Sequence, residues 1–167
     1  VTTASDTRRI LDSVRLLVRF LRVTDRAAQT SLGLTGAQMF VLHELGKAPA
    51  LSLNELAERT RTDQSSVSVV VTRLVDAGLV ARERSSHDGR RLELTLTAAG
   101  MRATKKAPPI AQELLIEAID ALPARERKQF ANDFEHLIQR LGIGGGEVPM
   151  FFEEEARPKR TRGAAKK

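Results

Sequence analysis

The stretch from Asp63 to Thr97, DQSSVSVVVTRLVDAGLVARERSSHDGRRLELTLT, constrains this chain more than any other. Val67, Val70, Val71, Leu74 and Val75 recur at i, i+3, i+4, i+7 and i+8, which is the buried stripe of a helix over 64–77. Asp63 is placed to cap that helix and Gly78 to end it. Two strands are expected next, over 79–84 and 91–97. The second alternates Leu92, Leu94 and Leu96 with Glu93, Thr95 and Thr97. Between them, Asp88-Gly89 is the strongest turn signal in 85–90. A capped helix leading directly into a hairpin excludes most other arrangements of these 35 residues.

The residues upstream extend this pattern. Thr35-Gly36-Ala37-Gln38 is a capping box, in which hydroxyl and amide satisfy each other's backbone N–H groups. It opens a helix to about Leu45 with Met39, Phe40, Leu42 and Leu45 as apolar members, closed by Gly46. Ser52-Leu53-Asn54-Glu55 is a second capping box, opening a short helix whose Leu53, Leu56 and Ala57 face inward. Three short helices and a hairpin are the order of a winged helix-turn-helix.

Longer helices flank this lobe. Over 6–30, Ile10, Leu11, Val14, Leu17, Val18 and Leu21 form an apolar stripe, and the Gly33 region breaks the helix. Residues 98–121 read as helical with a kink or break at Pro108-Pro109. Pro123 fits the first turn of a last helix carrying Phe130, Phe134, Leu137, Ile138 and Leu141, and Gly142 ends it. These stripes exceed what one small lobe covers, so they are expected to bury each other across the two-fold axis of a homodimer. The expected class is mainly α (α+β). The expected division is an N-terminal dimerisation helix (1–34), a winged lobe (35–97), C-terminal dimerisation helices (98–142) and a flexible basic tail (143–167). Within that tail, Met150-Phe151-Phe152 is apolar enough to dock on the body.

The formal charge of +6 misleads if read as a sum. Residues 156–167 hold six lysines and arginines and no acid, and removing these from the 27 leaves 21 basic against 21 acidic residues in the body. The position of the charge carries the argument instead. The helix over 64–77 has an outer face of Gln64, Ser65, Ser68, Val69 and Thr72, with Ser66 beside them and Arg73 on the flank. Small polar side chains let a helix sink into a major groove. Gln pairs bidentately with adenine at about 1–3 kcal/mol of discrimination, and Val meets a thymine methyl. Arg61 is a further phosphate candidate, just before the cap. The hairpin carries Arg82, Arg84, Arg90 and Arg91 against only Glu83 and Asp88. An arginine at its tip, Arg90, suits the negative potential of a minor groove. The plainer alternatives are a solvated helix face and surface ion pairs, each pair contributing about 0–1 kcal/mol. The expected partner is double-stranded DNA. A winged module for protein contacts is the alternative, and it predicts salt-insensitive binding without a DNA footprint. Residues 156–167 add either sequence-blind backbone affinity or only solubility.

Other classes are poorly supported. The chain has no cysteine, which removes thiolate metal sites, thiol redox chemistry and disulfides. His43, His87 and His136 lie on separate elements, none at metal-ligand spacing. There is no phosphate-cradling GxxxxGK[ST] loop, and Gly144-Gly145-Gly146 reads as linker. The serines at 65–68 have no adjacent base. No enzyme, metal or cofactor is expected. No apolar run of about 18 residues suggests a membrane span, and VTTASDTRRI lacks a signal peptide's apolar stretch. The cytoplasm is the expected location.

The order of helices, the segment LNELAERTRTDQSSVSVVVTRLVDAGLVARERSSHDGRRLELTLTAAG and the wing Asp88-Gly89-Arg90-Arg91-Leu92-Glu93-Leu94 resemble the MarR family of bacterial transcriptional regulators over about residues 6–141. The resemblance implies a homodimer with interlocking first and last helices. It also implies a winged lobe in each subunit, a pseudo-palindromic operator, and usually repression relieved by a small ligand between the dimer helices and the lobe. It assigns minor-groove entry to Arg90 and the positioning of that guanidinium to Asp88. Where the family's recognition helix often carries basic residues, this chain has Gln64 and Val69. The ligand cleft would lie between helix 6–30, helix 35–46 and the start of helix 98–121. Arg15, Arg19 and His43 are candidates to face it and to suit an anionic aromatic molecule.

Overall fold

The structure, a computed structural model, describes residues 2–48, 52–84, 92–143, 145 and 148–153. Among these the order is α1 (Thr2–Leu32), α2 (Gly36–Lys47), α3 (Leu53–Thr60), α4 (Gln64–Asp76), β1 (Val80–Arg84), β2 (Leu92–Leu96), α5 (Ala98–Lys105), α6 (Ala111–Asp120) and α7 (Ala124–Arg140). The winged lobe is α2 to β2, mainly helical with one small antiparallel sheet.

Both capping boxes form. Thr35 accepts from the Gln38 N–H while Gln38 accepts from the Thr35 N–H, and Ser52 and Glu55 do the same at α3. Gly46 does not end α2, which runs one residue further to Lys47. The Leu96 side chain lies beside Gly46, 3.6 Å from where a Cβ would stand. α3 ends on Arg61 in the left-handed region, φ 52, ψ 41. That is a position glycine usually takes. Gly33 (φ 68) follows α1 as expected.

α2 is buried on nearly every side: Ala37, Met39, Phe40, Val41, Leu42 and Leu45 all lie in the core. A helix apolar all round belongs at the centre of a fold. Leu56 of α3 and Val67, Val70, Val71 and Leu74 of α4 pack around it, with Val80 and Leu94 from the hairpin. Each large side chain so buried contributes about 1.5–3 kcal/mol.

The hairpin pairs Val80 with Leu96, Arg82 with Leu94 and Arg84 with Leu92. Its strands are slightly shorter than expected, and the tip, residues 85–91, lies outside the described residues. The end of the hairpin is locked by Thr97. Its hydroxyl donates to the Gly78 carbonyl at 2.8 Å and accepts from the Gly100 N–H at 3.1 Å. Gly100 is required by contact, since a Cβ there would stand 2.1 Å from the Leu79 carbonyl oxygen.

Pro108 and Pro109 break rather than bend the following helix, so that α5 stops at Lys105 and α6 starts at Ala111. Pro123 sits one position earlier than expected, at the N-cap of α7 with extended ψ 141. Of the expected stripe on α1, only Leu21 is buried; Ile10, Leu11, Val14 and Val18 are open, Ile10 at 55%. On α7 no residue is buried, and Phe130 is 54% exposed. Residues 148–153 are not a free tail, because Met150 is inserted at 3% exposure into the lobe's core cluster.

Candidate nucleic-acid interface

α4 is held by its first turn. Asp63 accepts from the Ser66 N–H at 2.9 Å, from the Ser66 hydroxyl at 3.0 Å and from the Ser65 hydroxyl. The Ser65 hydrogen bond and then the Ser66 N–H pull the Asp63 carboxyl down from 3.8 to about 2, so the cap stays ionised. The apolar stripe of α4 faces α2 and α3, leaving Gln64, Ser65, Val69 and Thr72 exposed with Ser68 half-buried among them. Val69 is 41% exposed. Arg73 is half-buried on the flank. Ser66 departs from the expected face. It lies on the buried side of α4 with Val70 and Leu74, and its hydroxyl reaches Asp63 and, at 3.3 Å, the Val148 carbonyl.

The wing is joined to this helix. Arg82 Nη2 donates to the Thr72 hydroxyl at 3.1 Å, and that hydroxyl donates back to the Ser68 carbonyl at 2.8 Å. Gln64 and Arg82 share a groove with Ser52, Asn54 and Leu94. Arg84 is exposed further along β1. The expected tip residues Asp88, Arg90 and Arg91, with Ser85, Ser86 and His87, lie outside the described residues. Arg61 is engaged elsewhere: its Nη2 lies 2.6 Å from Asp120 Oδ2, and Arg127 meets the same carboxylate at 3.5 Å. This joins the lobe to the ends of α6 and α7.

Sequence spacing hid one cluster. His43, Glu44 and Glu113 bring one ligand atom each to within 4.8 Å. Lys47 lies on both carboxylates and Arg59 Nε lies 2.8 Å from Glu44, so two cations already balance two anions there. Burial lowers the Lys47 pKa, but hydrogen bonds and charge from Glu113 and Glu44 outweigh it and raise the group above 10.5. His43 Nδ1 stands 2.9 Å from Glu113 Oε2, off the direction of a hydrogen bond. The cluster therefore pins α2, α3 and α6 together. A metal ion would have to displace Lys47. Glu113 is a member that spacing alone does not single out, since it lies on α6, far along the chain from His43 and Glu44 on α2, and only the fold brings it close.

A cleft lies between α1, α2 and the 108–112 segment, further along the chain than the start of helix 98–121 expected from the sequence. Leu21, Thr24, Asp25, Ala28, Met39 and Ile110 form it, with Phe151 and Phe152 across its mouth. Arg15, Arg19 and His43 do not meet there. Arg15 is exposed and paired with Asp12 at 2.7 Å, Arg19 is exposed, and His43 turns to Glu113. Helical periodicity puts the first two on the outer face of α1, away from the lobe. The polar side chains at the cleft are Thr24, whose hydroxyl donates to the Phe20 carbonyl, Asp25, and Gln112, whose Oε1 is buried without a hydrogen-bond partner.

Comparison with known proteins gives a consistent picture. The sequence profile of the MarR family matches residues 32–91. The HTH-type transcriptional repressor Rv2887 of Mycobacterium tuberculosis is 36% identical over 123 residues, which is 73% of this chain and 85% of that protein. The repressor MdtR of Bacillus subtilis is 40% identical over 68 residues, 41% of this chain and 44% of its own. Sco3205 of Streptomyces coelicolor, a MarR family transcriptional regulator crystallised in complex with DNA, has the same fold, with a TM-score of 0.58 at 23% identity over 83% of this chain and 89% of that one.

Proposed function

This chain belongs to the MarR family, and from that premise we propose that it is a dimeric transcriptional regulator that reads a pseudo-palindromic operator, a repressor released when a small ligand enters the cleft. The observation that carries the reading is the open face of α4, Gln64, Ser65, Ser68, Val69 and Thr72, tied through Thr72 to an arginine-bearing hairpin. Helix and wing then approach DNA as one body. The helix meets base edges in the major groove, Arg73 and Arg84 meet phosphates, and Arg90, held by Asp88 and flanked by Arg91, enters the minor groove. Ser66 is omitted from the contacts because its hydroxyl is occupied inside the lobe. The chemistry needed is binding alone, consistent with regulators rather than enzymes among its relatives.

The dimer is supported by the open apolar faces of α1 and α7, which line one groove through Ile10, Val14, Leu17, Phe130, Phe134 and Leu137. Two copies would set their α4 helices about 34–36 Å apart, one turn of DNA. Ligand release is supported by the cleft's position at the joint between α1 and the lobe, where an occupant alters the spacing of the two lobes and hence the fraction able to span an operator. Its lining is mostly apolar, with Asp25 and Gln112 as the polar groups able to orient an occupant.

A gel-shift against the DNA upstream of its own gene tests the reading. Wild-type protein is expected to shift that DNA, with affinity falling steeply as salt rises, and Arg90→Ala to weaken it by about 1–3 kcal/mol. Wild type that ignores the DNA, with Arg90→Ala no different, overturns it. A partner protein bound without salt dependence would favour the protein-contact alternative.

A further inference from the structure

We propose that residues 148–153 are a displaceable latch, an internal ligand of the cleft that couples cleft occupancy to the first turn of α4. Met150 is the anchor, buried at 3% exposure against the core. The Phe152 ring lies over Gly36, where a Cβ would stand 3.5 Å from Phe152 Cδ2. Phe152 holds a left-handed backbone, φ 58, which a non-glycine residue keeps only where its surroundings impose it. The segment closes on itself, with the Glu153 N–H donating to the Met150 carbonyl at 3.0 Å and the Met150 N–H to Glu153 Oε2 at 3.2 Å.

With the latch in place, the cleft retains about 20 Å³, room for about one water. Any larger molecule that enters must move the two phenylalanine rings. Phe151 is held lightly for such a place at 44% exposure, Phe152 is half-buried, and Val148 beside them is 75% exposed. Val148 connects this seat to α4: its carbonyl lies 3.3 Å from the Ser66 hydroxyl and shares that single proton with Asp63, the cap of that helix, at 3.0 Å. Displacing the rings withdraws Val148 and frees the first turn of α4 from the α1 side. The docking rests on the fold alone; its regulatory consequence rests on the reading of α4 as the DNA-contacting helix. A latched lobe is preorganised, so its release lowers DNA affinity.

The test uses the full chain. The protein has no tryptophan and no tyrosine, so Phe151→Trp reports on this segment without background. Its emission is expected to lie to the blue of free tryptophan and to move to the red when Met150→Asp is added, with helix content by circular dichroism unchanged. Nile red, a neutral apolar dye, is expected to bind Met150→Asp about tenfold more tightly than the parent, as for a seat that is free in only about one parent molecule in ten. Solvent-like emission in the Phe151→Trp protein, equal dye affinity, or lost helix content in Met150→Asp overturns the latch. On one duplex, Met150→Asp is expected to bind about threefold or more weakly; unchanged or raised affinity overturns the coupling. A parent that binds no DNA counts against the proposed function, and the emission and dye readouts still decide the latch.

Discussion

Two single residues decide local geometry, one by lacking a side chain and one by its carboxylate. Gly100 lies against the Leu79 carbonyl, where a Cβ would approach to 2.1 Å. Backbone cannot yield as a flexible side chain does, so Gly100→Ala should destabilise the fold by about 1–3 kcal/mol or more, seen as a lower midpoint in urea denaturation. Asp63 acts through charge. Its folded pKa is depressed from 3.8 to about 2 by the Ser65 hydroxyl and the Ser66 N–H. A depressed carboxyl stabilises the fold fully above the unfolded value, and that contribution is lost as pH falls through the folded one. The cap at α4 should therefore hold at pH 5 and fail between about pH 4 and 2, tracked by ¹³C NMR of the Asp63 carboxyl. Asp63→Asn should show no such loss in that window. The cap was legible in the sequence, since a cap needs only local spacing. The clash at Gly100 was not, because the carbonyl it meets lies 21 positions back across the hairpin.

At the scale of elements, the caps and periods read from the chain correspond to real helix starts, and the double proline to a real break. Thr35→Ala removes the oxygen that accepts the Gln38 N–H and should cost about 0.5–2 kcal/mol, measured as a fall in Tm with the fold otherwise intact. At Ser66, period alone misses only the partner: the buried side of α4 that it shares with Val70 and Leu74 follows from spacing, but the Val148 carbonyl, 82 residues on, does not. The joint between Arg82 and Thr72 is likewise invisible in one dimension, since it depends on how far β1 leans toward α4.

For the whole molecule, the open apolar faces of α1 and α7 pose the main question of stability. Faces of this kind, including Ile10, Phe130 and Phe134, are costly in water and call for a partner. Phe134→Asp should leave the lobe folded and yield the mass of a single chain in sedimentation. It should also weaken operator binding by about 100-fold, because two linked lobes gain avidity that one lacks. An unchanged mass would place the subunit contact elsewhere. Arg15, Arg19 and His43 show the limit of the sequence at this scale. Each was assigned to a cleft beside the start of helix 98–121, yet the cleft present is lined by other faces of α1 and α2, by 108–112 and by Phe151 and Phe152.

The sequence by itself determined the order of the elements, the caps of α2, α3 and α4, the polar face of α4 and the family. These follow from spacing within about ten residues, where backbone geometry alone sets who is neighbour to whom. Tertiary structure alone decided that Glu113 meets His43 and Lys47, that Arg61 is held by Asp120, that Ser66 meets the Val148 carbonyl and that Met150 to Phe152 close the cleft. Those contacts join residues far apart in the chain. Their partners are chosen by the packing around α2 at the centre, which brings distant segments together.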